Sequence, residues 1–231
     1  MGSPRERPIL FSAAMVRRLL AGEKTQTRRA IHPSLGERTH SPVLGLDALW
    51  RWMTGRVSHV GDERRCPYGM PGDRLWVRET WCEVVPSAGV ERRHPDDAHR
   101  GVRYRATWDR AHSLRWRPSL HMERWASRLT LEVTDVRVQR LQDISEEDAK
   151  AEGARYFGDL PSTHPYGLDA RWSMEEPTST EQCLGTARHA FGSYVNQLHG
   201  GPRWNCNGLP QLWDLNPWVW AVSFRRVEAA R

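Results

Sequence analysis

Residues 128–141 read Arg-Leu-Thr-Leu-Glu-Val-Thr-Asp-Val-Arg-Val-Gln-Arg-Leu, an apolar–polar alternation broken only at Thr134-Asp135 and Gln139-Arg140. Side chains of an extended strand point to opposite faces in turn, so this run predicts one long strand or two consecutive ones with a single apolar face. That face must be covered. Pro217-Trp218-Val219-Trp220-Ala221-Val222-Ser223-Phe224 predicts a closing strand, and residues 74–81 alternate after the turn signal Pro71-Gly72-Asp73. Residues 8–11 and 102–106 are short strand candidates, and 25–29 can be extended. Helices are fewer. Ser12 caps a run through Ala21 with Met15, Val16, Leu19 and Leu20 on one face, ended by Gly22. Ser145-Glu146-Glu147-Asp148 opens a second helix that ends near Gly153, and residues 181–198 carry helical spacing. Many short strands with two or three helices predict an α+β fold, a small mixed β-barrel with packed helices. It is read as one domain over residues 8–226, with polar, Pro-containing insertions at about 32–72, 86–101 and 155–180.

Twelve Trp in 231 residues argue against a disordered chain, although only 39% of residues are hydrophobic. No apolar run nears the roughly 18 residues of a membrane span. The first apolar stretch is broken by Arg17 and Arg18 and lacks a cleavage pattern, so a soluble, cytoplasmic protein without a secretory signal is expected. Net charge is +6, and of the 34 basic side chains only Lys24 and Lys150 are lysines. Arginine grips phosphate in a bidentate fork, which suits a nucleic-acid partner; an arginine-favouring codon usage gives the same excess. Arg is never deprotonated, whereas a buried Lys can be tuned as a base, which singles out Lys24. Cys66, Cys82, Cys183 and Cys206 show no zinc-knuckle spacing. Free thiols, a zinc site assembled from distant Cys and His, and disulfides all stay open.

The run Ala21-Gly22-Glu23-Lys24-Thr25-Gln26-Thr27-Arg28-Arg29 places an amine and two hydroxyls just after a helix end, with two guanidinium groups beyond. A Lys beside a hydroxyl can serve as base and nucleophile. Such a base must be the neutral amine, so burial and neighbouring cations have to lower its pKa from about 10.4 to roughly 7–8. The same residues also make an ordinary solvated turn. Positions i and i+3 of a straight strand face opposite ways, so a Lys24–Thr27 pair requires Lys24 in the turn and a strand starting near Gln26.

Leu20–Arg29 resembles the N-terminal signature of ASCH domains, members of the PUA-like superfamily. Pro71–Glu79 is similar to a second block, and Leu129–Leu141 with Ile144–Gly153 to the central strand and following helix. Asn216–Trp220 with Phe224-Arg225 resembles the last strand. With Cys66-Pro67-Tyr68-Gly69 and Trp116–Met122, the pattern is similar to the larger phage and prophage proteins of this type; the matching blocks span about half of the chain. The smallest bacterial members include hydrolases of N4-acetylcytidine. The resemblance implies a Lys, Thr, Glu set, matched here by Lys24, Thr27 and Glu152, and an amidohydrolase removing acyl groups from the exocyclic N4 of a modified cytidine nucleoside or nucleotide. Lys24 would take the Thr27 proton, Thr27 attack the amide, and Glu152 shuttle protons. Arg29, or backbone N–H groups near the helix end, would meet the oxyanion. This chain is about twice as long as those hydrolases, and its insertions can reshape the pocket. No cofactor is implied, and no membrane partner.

The remaining candidates each carry two readings. Arg28 and Arg29 are substrate-binding candidates and the cations that would lower the Lys24 pKa; Arg78 is a phosphate contact or a surface ion pair, and Glu79 a pocket residue or a strand-end carboxylate. Trp76 and Trp81 are core residues or platforms for a base. Trp116–Trp125, with Arg117, Ser119, His121, Met122 and Arg124, interleaves cations and aromatics as a nucleotide or single-stranded RNA site does, or forms a rigid loop. Beside the hydrolase stand a non-catalytic reader of RNA or of a modified base and, third, a ribonuclease.

Overall fold

A computed structural model describes residues 4–31, 43–45, 49–54, 57–83, 101–108, 114–162, 169–199 and 211–227. The element order is β1 (Glu6–Leu10), α1 (Ala13–Leu20), β2 (Gln26–Ala30), β3 (Val43–Leu44), β4 (Trp50–Thr54), β5 (Val57–Arg64), β6 (Arg74–Arg78), β7 (Trp81–Glu83) and β8 (Val102–Tyr104). It continues with β9 (Thr130–Arg140), α2 (Glu146–Ala151), β10 (Arg155–Tyr156), β11 (Trp172–Ser173), α3 (Ala187–Leu198), α4 (Leu212–Leu215) and β12 (Trp218–Val227). The architecture is α+β.

The alternating run forms one strand, β9, and the closing apolar segment, β12, pairs with it antiparallel along its whole length. Together they centre a five-stranded mixed sheet of order β1-β6-β9-β12-β2. β1 lies parallel to β6, and β2 antiparallel to β12. Leu131, Val133, Val136, Val219, Val222 and Phe224 sit in the main core with Val16 and Leu19 of α1 and Phe191 of α3. Ser12 caps α1 by accepting from the Met15 N–H, and Ser145 caps α2 by accepting from that of Asp148. Gly22, at φ 75°, and Gly153, at φ 110°, end these helices in the left-handed region that favours glycine.

The expected closed barrel is corrected: among the described residues the strands form four separate sheets, none of them closed. Closure would need the edge strands β1 and β2 to share a ladder. They instead meet through a side chain, the Arg29 guanidinium donating to the Leu10 carbonyl. Residues 74–81 also divide: β6 stops at Arg78, and β7 pairs with β8 in another sheet. The expected insertion at 32–72 contains the antiparallel sheet β3-β4-β5, from which Trp50 reaches the core edge-on to Trp220. The 155–180 insertion contains the β10–β11 pair, and most of the 86–101 insertion lies outside the described residues. No helix among the described residues is long and apolar enough to cross a membrane.

Candidate active site

The chain leaves α1 at Ala21, turns at Gly22 and enters β2 at Gln26, so Lys24 lies in the turn and Thr27 in the strand. The end of α2 docks on this turn: the Thr25 N–H donates to the Ala151 carbonyl at 2.9 Å, and Phe224 of β12 donates to the Thr25 carbonyl at 2.8 Å. Glu152 is the residue that closes α2, and this docking places it beside Lys24.

Lys24 Nζ donates to Glu152 Oε2, to the Glu152 carbonyl and to the Gln26 carbonyl, each at 2.7 Å. Three acceptors for one amine describe an ammonium with every proton engaged. The Lys24 and Glu152 side chains are only 2% and 4% exposed. Burial pushes the Lys24 pKa below its ordinary value; Glu152 opposes this by charge and hydrogen bond, while Arg29 and Arg28 push further down. The second carboxylate oxygen, Oε1, accepts from Arg28 Nη1 at 3.3 Å, and Arg28 Nη2 donates to Asp148 at 2.6 Å. Gln26 braces this network, accepting from Arg28 at 2.5 Å and donating to Asp148 and Ser223. Lys24 and Arg28 thus pair with Glu152 and Asp148 beneath the strand, opposite charge and hydrogen bonds offsetting desolvation, while the buried Arg28 Nε has no partner among the described residues.

Lys24, Thr27 and Glu152 all line one cavity of about 350 Å³. That is the low end of the range for small-molecule sites, at about 300–1,000 Å³, and suits a ligand the size of a nucleoside or a mononucleotide. Thr27 is 4% exposed, and no described protein group hydrogen-bonds its hydroxyl. The Lys24–Thr27 hydrogen bond that base catalysis needs is therefore absent here; such bonds often tighten only around substrate. Arg28, Arg29 and Ser119 line the same cavity.

The other candidates lie elsewhere. Glu79 is 1% exposed and forms a fork with Arg128, at 2.9 and 3.1 Å. Trp81 and Met122 belong to a second apolar cluster with Val102, Tyr104 and Ala126. Arg78 spans the Trp76 ring and donates to the Leu120 carbonyl. Arg117 covers Trp81, Arg124 pairs with Glu6 at 2.9 Å, and His121 is exposed at the end of a 3-10 turn.

Sequence reasoning missed the facing wall. Phe191, Tyr194, Val195 and Leu198 of α3, with His199 after it, line the cavity, as do Phe11 and Ser12 after β1. Helical spacing marked several of these positions as buried, but nothing local says what an α3 residue faces. Ser12 Oγ and Tyr194 OH are 3.0 Å apart. Cys66, Cys82 and Cys183 are free and buried, burial pushing the Cys66 thiol up to about 11. No three His, Cys, Asp or Glu converge as metal ligands among the described residues. No family profile, curated protein or solved structure matches the chain.

Proposed function

We propose that the chain is a PUA-like, ASCH-type amidohydrolase that removes an acyl group from the exocyclic N4 of a modified cytidine. One observation carries this reading. A buried amine touches a carboxylate at 2.7 Å on the wall of a cavity that also holds a threonine hydroxyl with no partner among the described residues. An amine, an acid and a free hydroxyl are the parts that acyl transfer through a covalent intermediate needs.

The reaction begins with the ion pair. A proton passes from Lys24 Nζ to Glu152 Oε2, leaving a neutral amine and a neutral acid. Lys24 takes the Thr27 hydroxyl proton as the oxygen bonds to the acyl carbon. The ammonium that forms on Lys24 in this step favours the resulting oxyanion. Glu152 gives its proton to the departing N4, the C–N bond breaks, and cytidine leaves an acyl-Thr27 ester. Water then adds to the ester, its proton going to Glu152. Thr27 departs with the proton held by Lys24, the acid product leaves, and the proton on Glu152 returns to the amine.

Incubating the protein with N4-acetylcytidine and following cytidine by chromatography tests this. Release is expected, with Lys24→Arg and Thr27→Ala each abolishing it while cytidine binding persists. Binding without release from the unmodified protein would leave a reader of modified bases instead.

A further inference from the structure

Counting protons and lone pairs around the cavity shows an excess of donors. Arg29 lines it and is the one cation there with no carboxylate partner among the described residues; Lys24 has Glu152, and Arg28 has Glu152 and Asp148. Its guanidinium is nevertheless held in place, over the Phe11 ring at 5.2 Å and by the Leu10 carbonyl, and its buried Nε has no acceptor among the described residues. Phe11 also lies 5.6 Å from Lys24 Nζ, so the two cations flank one ring.

The next residue, Ser12, adds to the imbalance. Its Oγ already accepts from the Met15 N–H, and only one proton lies between it and Tyr194 OH. Whichever hydroxyl donates, the other keeps a proton with no acceptor among the described residues. The Thr27 hydroxyl is a third unmatched donor. Burial raises the Tyr194 hydroxyl and lowers the His199 imidazole, and the Arg29 charge acts downward on both.

A rigid, unneutralised guanidinium among spare donors is complementary to an anion rich in acceptors. We infer that the cavity takes a nucleotide rather than a nucleoside, its phosphate monoester held by Arg29 with the Ser12–Tyr194 hydroxyl pair. This rests on the cytidine reading above, and names the phosphorylated form of that substrate.

Calorimetric titration of the full chain with cytidine, cytidine 5′-monophosphate and inorganic phosphate tests it without turnover. The monophosphate is expected to bind about 10- to 100-fold more tightly than cytidine, the yield of one or two charge-assisted hydrogen bonds. That gap should vanish in Arg29→Gln, survive in part in Arg29→Lys and shrink in Tyr194→Phe, each variant checked for native circular dichroism. Equal affinities for nucleoside and nucleotide overturn the inference, as does a gap that Arg29→Gln leaves intact. Inorganic phosphate binding as tightly as the nucleotide overturns it too. Nucleotide binding that depends on Arg29, without release of cytidine from N4-acetylcytidine, would remove the proposed reaction and leave this site standing.

Discussion

Glu79 and Glu152 are both almost fully buried and both touch a cation, yet only Glu152 lines the cavity. Glu79 meets Arg128 in a two-bond fork whose guanidinium lies 4.0 Å from the Tyr104 ring centre and also donates to Thr107. Neither partner lines the cavity. Glu152 meets an amine by one carboxylate oxygen and an arginine by the other, at the cavity wall. An arginine fork holds two segments together but cannot release a proton, whereas a lysine in the same role can. The contrast separates a structural ion pair from one suited to proton transfer, although both begin as a Glu in the sequence.

The comparison is tested hardest by cutting the fork. Glu79→Ala leaves Arg128 buried without its carboxylate and is expected to cost about 3–5 kcal/mol, measured by urea unfolding. Cytidine release by the molecules that stay folded should be unchanged; a stable but inactive variant would reverse the two assignments. Lys24→Met is expected to cost less, about 1–3 kcal/mol, because Glu152 keeps Arg28, while release of cytidine is lost. A cost above that of Glu79→Ala would make Lys24 chiefly a structural cap on α2. Thr27→Val keeps the shape and removes a hydroxyl that bonds nothing described, so stability should move by less than about 1 kcal/mol while turnover disappears. The smallest effect is in acid. Burial pushes the Asp148 carboxyl up, but the charge and hydrogen bond of Arg28, helped by Arg137 and Gln26, hold it below its ordinary 3.8. The folded state therefore keeps the carboxylate better than the unfolded chain does. Its contribution is complete above the unfolded value and is lost as pH falls through the lower folded value. Asp148→Asn should flatten that limb in urea titrations between about pH 5 and pH 2.

Local order was the legible part of this sequence. The alternation of residues 128–141 became β9, the capping residues Ser12 and Ser145 sit where helices begin, and Lys24 lies in a turn before a strand beginning at Gln26. Each is set by neighbours a few positions away. What depends on distant partners was hidden. Alternation cannot say which strands pair, so an open sheet was read as a barrel. Trp50–Thr54 and Val57–Arg64 lack clean periodicity and were read as insertion, yet they pair as neighbouring strands. From the sequence Glu79 reads as a pocket residue or a strand-end carboxylate, and the ion pair it makes is hidden because Arg128 lies 49 positions on. The α3 wall of the cavity meets the β2 side only through the tertiary fold.

Two of the three oxygens around the Lys24 amine are main-chain carbonyls, which are far too weakly basic to accept a proton. The ammonium has a single outlet, Glu152 Oε2. Transfer through it converts a zwitterion into its neutral tautomer with no net exchange with solvent. Bulk acidity has little leverage over such an isomerisation, so the catalytic rate should form a plateau across neutral pH, and the balance between tautomers is left to the dryness of the cleft, which an entering ligand increases by displacing water.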